Sequence, residues 1–243
     1  MSTKYNPSIV RDNLILYVDA GNSKSYPGSG TTWKDLSGRG HHMTLNNGPT
    51  FNSNFGGYLD FDGTNDSATV EIGNLAGTTK DATVSIWMDG DYGSSNHKGI
   101  IGFRQAGNNN GFFILRLTGT NDKLEMRIAN SGGQFDVKDA TNNVPTVNSR
   151  IWCNLCLTYS NSNTLITGYY NGKKLGSTTT NATAFQSSMK SFSIARSSHS
   201  TSHMADMKAS SAMLYEKCLS SLEVEQNYNA LKGRFGFLSL IHI

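Results

Sequence analysis

Charge is scarce in this chain. Only 16% of its 243 residues are Asp, Glu, Lys or Arg, and the net charge is +3. Lys173-Lys174 is the one adjacent pair of basic residues. The basic stripe that a nucleic-acid footprint needs is therefore missing, and no nucleic-acid partner is expected. No apolar run approaches the ~20 residues of a membrane-spanning helix, so no membrane partner is expected either. Met1 to Val10 lacks the apolar core of a secretory signal. Cysteine is limited to Cys153, Cys156 and Cys218, an odd count that argues against a disulfide framework. Cys153 and Cys156 form a C-x-x-C, but no second pair exists to complete a zinc site.

What the chain does have is Thr, Ser, Asn and 25 Gly, the residues of strands and tight turns. Its length suffices for a core without covalent staples, and all-β sandwiches of this size form one unit. Short runs of β-type composition are broken by Gly, Asn and Ser every ten residues or so. Leu14 to Val18 is apolar throughout, as a strand buried on both faces would be. Tyr58 to Asp62 and Ala68 to Ile72 flank a turn at Gly63-Thr64-Asn65-Asp66. Thr83 to Met88, Gly99 to Arg104, Phe112 to Thr118 and Lys123 to Ala129 follow, with Gly119-Thr120-Asn121-Asp122 as a hairpin signal. Phe135-Asp136-Val137, Ile151 to Tyr159, Leu165 to Asn171, Lys174 to Thr180, Phe192 to Ala195 and Ala209 to Tyr215 complete about a dozen strands.

Period-two alternation in Lys123 to Ala129 sets Leu124, Met126 and Ile128 against Lys123, Glu125 and Arg127, which predicts one buried and one wet face. Residues three apart on a strand face opposite sides, so Cys153 and Cys156 are expected to be separate packed thiols. Ser220-Ser221-Leu222-Glu223 is a capping box. Apolar residues at helical spacing then predict a helix over 221–232, with Gly233 as its stop. The polar stretches 141–149 and 177–190 are loops within one domain.

The last six residues, Leu238 to Ile243, are what CTG TCT CTT ATA CAC ATC encodes, a transposase mosaic-end adapter. The expected organisation is a single domain over 1–237 and an adapter-derived tail over 238–243 from an assembled environmental fragment.

The order of the motifs carries a family resemblance. Ile151-Trp152 through Thr158-Tyr159, followed by Tyr169-Tyr170-Asn171-Gly172-Lys173, is similar to the "W…T-Y…Y-x-N-G-K" core of laminin-G-like domains. So are Asp19-Ala20-Gly21-Asn22, Trp33-Lys34-Asp35-Leu36-Ser37-Gly38, Leu59-Asp60-Phe61-Asp62-Gly63, and the close from Leu214-Tyr215 to Gln226-Asn227-Tyr228-Asn229. The resemblance spans about residues 14–236. It implies an all-β fold: a two-sheet antiparallel jelly-roll sandwich of the concanavalin A-like kind with one short C-terminal helix, and Trp33 and Trp152 in the core. The wording "DAGNSKSYPGSGTTW" and "QNYNALKGRFG" further resembles laminin-G-like structural proteins of marine tailed phages.

Fold alone does not settle function. Retaining glycosidases on this jelly roll carry Glu-x-Asp-x-x-Glu on one strand, their two catalytic carboxyls about 5 Å apart, and this chain has no such motif. Asp60 and Asp62 share a face, but Asp62 is read as a turn-stabilising carboxylate. No Gly-x-Ser-x-Gly elbow, phosphate loop or dinucleotide fingerprint occurs. Pentraxin-like relatives bind calcium through acids after the strand matching Phe192 to Arg196, where this chain has Ser197 to His203 without a carboxylate. Another acidic position of the family falls near Ser210. No cofactor is expected, and the one place left for a calcium ion is at Asp62 and Asp66 with backbone carbonyls. Sugar contacts are assigned to Tyr92, His97, Arg104, Asn109 of the Asn108-Asn109-Asn110 loop, His199 and His203.

The expectation is a non-enzymatic phage virion component that binds host glycan and associates with other virion proteins or itself. It would be located in the virion or outside the cell after lysis. A bacterial carbohydrate-binding module and a glycoside hydrolase of the same fold are the alternatives.

Overall fold

Alternating apolar side chains leave every strand with one face that water cannot satisfy, and pairing two sheets face to face removes that surface. The computed structural model describes residues 7–73, 81–90, 98–104, 111–116, 124–130, 133–138, 151–180, 191–196 and 204–237. In chain order the strands are β1 (Leu14–Asp19), β2 (Thr32–Trp33), β3 (Met43–Asn46), β4 (Thr50–Asn52), β5 (Tyr58–Asp62), β6 (Ser67–Glu71), β7 (Ala82–Gly90) and β8 (Lys98–Arg104). They continue with β9 (Gly111–Arg116), β10 (Leu124–Asn130), β11 (Gly133–Lys138), β12 (Cys153–Ser160), β13 (Leu165–Tyr170), β14 (Lys173–Thr179), β15 (Ser191–Ile194) and β16 (Asp206–Tyr215). Helix α1 (Ser221–Leu231) follows the last strand.

Sheet A runs β14-β13-β12-β7-β16-β5-β4, with β1 also against β16. Sheet B runs β11-β10-β9-β8-β15-β6-β3-β2. All the pairings are antiparallel. Strands distant in sequence lie side by side, as the jelly roll requires. Leu45, Ala68, Ile194, Ile101, Ile114 and Met126 form one register row across six strands of sheet B and all are buried in the main core. Phe61, Phe103, Phe112 and Phe192 are fully buried there, each contributing about 1.5–3 kcal/mol of transfer free energy.

The outer face of sheet A carries a second apolar cluster that includes Tyr17, Tyr58, Trp87, Trp152, Tyr215, Val224 and Phe235. The chain beyond α1 folds back over it. Trp87 stacks on Phe235 with centroids 4.2 Å apart and on Tyr228 at 5.4 Å. Trp152 lies 4.7 Å from Phe235. Leu14–Asp19 is buried along its whole length, and it serves both clusters, as its unbroken apolar run suggested. Trp33 sits in the inner core and Trp152 in the outer cluster.

The motifs that carry the resemblance prove to be ties between distant segments. Asp19 accepts the Gly21 N–H and the Tyr17 hydroxyl, and both of its oxygens lie 2.9 Å from Arg234 Nη1. Arg234 Nη2 also donates to the Gly56 carbonyl and to Ser210 Oγ. At this crossing a Cβ on Gly21 would meet the Gly56 oxygen at 1.7 Å, so only glycine fits. Asn171 (φ 49) and Gly172 (φ 76) both take positive φ to close the β13–β14 hairpin, the backbone a primed turn demands. The Asn171 side chain accepts the Asn154 N–H across the sheet. Asn227 of α1 accepts from Val10 N–H and donates to the Tyr215 hydroxyl.

Several expectations change. Strands β2, β3 and β4 were not foreseen; at two to four residues each they are too short to show a period. The capping box at Ser220 and Glu223 is present, but α1 ends at Leu231. Gly233 lies inside a 3-10 turn over Lys232–Phe235, and the left-handed stop is Gly236 (φ 80). Glu125 is not on a wet face: its side chain is 0% exposed and ion-paired to Arg127. Cys153 faces the inner core and Cys156 the outer cluster. Burial pushes the Cys156 thiol far up, with the nearby Cys218 adding to the effect, so it is inert at neutral pH.

Candidate functional site in a polar cleft of sheet B

Side chains flanking the inward row of sheet B point the other way. Thr32, Thr44, Thr69, Ser193 and Gly102 stand in register across five strands, and Arg127 and Asp136 continue the row beyond β9. On β2, β3, β6 and β15 this row is small and polar, and on β9 Phe113 stands in it between Gly102 and Arg127. Among the described residues no aromatic cluster covers it.

Its far end carries a charge network. Arg127 donates from Nε to Asp136 Oδ1 and from Nη2 to Asp136 Oδ2 at 2.9 Å, and Nη2 lies 2.8 Å from Glu125 Oε2. Burial opposes the guanidinium charge, but the Asp136 hydrogen bond and the Glu125 carboxylate outweigh it and raise the Arg127 pKa. Two carboxylates thus share one cation.

The near end opens into a cleft of about 620 Å³ lined by Leu45, Asn46, Asn47, Thr64, Asn65, Ser67, Arg196 and Met204. Three segments build it. The end of β3 supplies Asn46, whose Nδ2 lies within 3.3 Å of the Ser67 carbonyl, 3.3 Å of Ser67 Oγ and 3.0 Å of Thr69 Oγ1. Asn47, in the left-handed region at φ 63, donates from Nδ2 to the Asn65 carbonyl at 2.7 Å. The β5–β6 turn supplies Thr64 and Asn65. The end of β15 supplies Arg196, bridged to Met204.

Asp62 organises the turn. Its Oδ1 accepts N–H bonds from Thr64 at 2.8 Å, Asn65 at 3.2 Å and Asp66 at 3.4 Å. These bonds, led by that from Thr64, hold its carboxyl below the usual range. Asp66 is buried and accepts the Asp62 N–H through Oδ2 at 3.3 Å. Burial raises its pKa, and the charge of Asp62 adds to the rise. The two residues assigned to calcium therefore stand together, with one oxygen of each engaged by backbone amides. Among the described residues no three His, Cys, Asp or Glu side chains gather as a metal site. Ser210, where the family carries an acid, is buried and donates to the Gly57 carbonyl.

Of the residues assigned to sugar, Tyr92, His97, Asn109, His199 and His203 lie outside the described residues. Arg104 ends β8 opposite Ser191 and Gly111, and only its backbone is described. The cleft residues were missed as ligand contacts. In the sequence Thr64-Asn65 reads as part of a turn and Asn46-Asn47 is not singled out, and nothing local joins either pair to Arg196.

Comparison with known proteins agrees with this architecture. A laminin-G family model, described as the concanavalin A-like lectin/glucanases superfamily, matches residues 62–225. No curated protein matches the chain. Among solved structures it is similar to the binding domain of Paraclostridial Mosquitocidal Protein 1 (TM-score 0.69, 18% identity, 90% of this chain and 52% of that one). It is also similar to the receptor binding domain of botulinum neurotoxin C/D mosaic serotype (TM-score 0.67, 14% identity, 90% and 51%). A third is the binding domain of botulinum neurotoxin DC in complex with rat synaptotagmin II (TM-score 0.68, 16% identity, 91% and 52%). The chain spans about half the length of these neighbours, and at such identities the likeness concerns fold. With the family model covering most of the chain and the two-sheet antiparallel sandwich in place, the chain belongs to the concanavalin A-like lectin/glucanase superfamily.

Proposed function

We propose that this chain is a non-enzymatic, carbohydrate-binding adhesion module. The observation that carries the reading is the cleft at the end of sheet B. Amide and hydroxyl side chains of Asn46, Asn47, Thr64 and Asn65 line most of it. Sugar hydroxyls need such hydrogen-bond partners. The acids near it each hold the turn through one oxygen, Asp62 by accepting backbone amides and Asp66 by accepting the Asp62 N–H. The fold neighbours are themselves named as binding domains, which favours the same use here.

The finer reading is a component of a tailed-phage virion, held by other virion proteins or by self-association. It rests on the wording of residues 19–33 and 226–236, and capsid or tail genes beside the source locus would support it. A polysaccharide-utilisation locus would favour the bacterial module instead.

The test is binding to an immobilised glycan array with and without EDTA. Binding that survives EDTA, and is lost in Asn65→Ala with unchanged melting temperature, is the expected result. Reducing-sugar release abolished by Asp62→Asn would overturn the non-enzymatic reading.

A further inference from the structure

Resting on the glycan reading, we propose that the cleft selects a carboxylate-bearing saccharide, a uronate or sialate, and that Arg196 binds its acid group. Arg196 is the one ionisable side chain among the residues lining the cleft. Its Nε is buried, and no hydrogen-bond partner for it exists among the described residues. A buried guanidinium N–H is an unusual thing to leave unmade; it leaves the half-buried Arg196 cation without compensation at Nε, and a planar carboxylate arriving in the cleft is the guanidinium's geometric complement.

The position of Arg196 is set in advance. Ala195 is held at φ 60, a costly conformation for a residue with a Cβ. Its N–H donates to the Ile100 carbonyl, and its own carbonyl accepts from Ala205. The Arg196 carbonyl accepts from Ser193 Oγ at 2.8 Å. The backbone is thus pinned on both sides of the cation before any ligand arrives.

The rest of the cleft suits the neutral part of the same sugar. The side-chain nitrogen of Asn46 is engaged by Ser67 and Thr69, and that of Asn47 gives one of its two N–H groups to the Asn65 carbonyl. Their oxygens can accept from ligand hydroxyls, and the second N–H of Asn47 can donate to one. One cation among neutral groups matches one carboxylate. A heavily sulfated chain would need a run of cations, whereas the only adjacent basic pair, Lys173-Lys174, lies on β14 of the other sheet.

The experiment is an array bearing uronate and sialate oligosaccharides, their carboxyl-esterified forms, neutral counterparts and sulfated chains, followed by calorimetric titration of the best binders. The expected outcome is preference for the free acids. Esterification and Arg196→Gln should each weaken binding about tenfold or more, without adding to one another, and Arg196→Lys should recover part of the loss. If esters or neutral sugars bind equally well and Arg196→Gln changes nothing while Asn65→Ala abolishes binding, the acidic assignment falls and the glycan site stands. Preference for sulfated chains alone also overturns it. If nothing on the array binds, both readings fall. A melting curve of Arg196→Gln matching the wild type separates loss of contact from loss of fold.

Discussion

The two outer faces of this sandwich are built from the same strand alternation and end up opposite in character. Sheet A turns Trp87, Trp152 and Tyr58 outward, and the C-terminal segment supplies Tyr228 and Phe235 to cover them. Sheet B turns out Thr32, Thr44, Thr69 and Ser193, with a cleft at one end and an ion network at the other. The first face is spent on stability. The second is polar, exposed at Thr32 and Thr44 and buried at Ser193 and Glu125, and its cleft is the part open to a ligand. Conserving a fold through one face leaves the other open to variation in what it binds.

That contrast can be broken most severely at Trp87. Replacing it with Ala removes stacking on two rings and should cost about 3–5 kcal/mol by chemical denaturation. Thr44→Val on the exposed face of sheet B should stay within about 0.5 kcal/mol. Equal costs at the two sites would refute the division of labour.

The Asp19–Arg234 clasp ranks next. Asp19→Ala leaves Arg234 facing two carbonyls without its counter-charge and should cost about 3 kcal/mol. A double-mutant cycle with Arg234→Met should return a large coupling, because both changes remove one interaction. Ser220→Ala deletes the N-cap of α1 and should cost about 1 kcal/mol, lowering the melting temperature without altering glycan binding.

The smallest effect is expected at Asp66. Its raised pKa means that the folded state holds the proton more tightly than the unfolded chain. Its charge therefore opposes folding at neutral pH, and this opposition fades as pH falls from the folded pKa toward the ordinary carboxylate value. Asp66→Asn keeps an acceptor for the Asp62 N–H. It should melt at or slightly above the wild-type temperature at pH 7, the difference vanishing in acid. Added calcium should leave both unchanged. A calcium-dependent rise in the wild type alone would instead assign the ion to Asp62 and Asp66.

The sandwich was legible in the sequence because alternation and turn residues are local signals. Leu14 to Val18, the Asn171-Gly172 turn and the Ser220–Glu223 cap could all be read from a few neighbours. Burial on the outer faces could not. Glu125 alternates correctly, yet alternation does not say whether its side is wet, and its side chain is buried. The role of Trp87 is set by Phe235, nearly 150 residues later. The cleft is the extreme case. Asn46, Asn65 and Arg196 meet only because β3, β6 and β15 are neighbours in sheet B, and no spacing rule joins them. Asp62 was read correctly as a turn carboxylate because its partners, Thr64 and Asn65, are adjacent.

The most direct test of the whole account is amide chemical-shift mapping with the saccharide that binds most tightly on the array. The division between faces requires the largest perturbations at Asn47, Thr64, Asn65 and Arg196, including the Arg196 side-chain Nε–H. Perturbations confined to Phe55, Trp152 and their neighbours on sheet A, with the cleft silent, would contradict it.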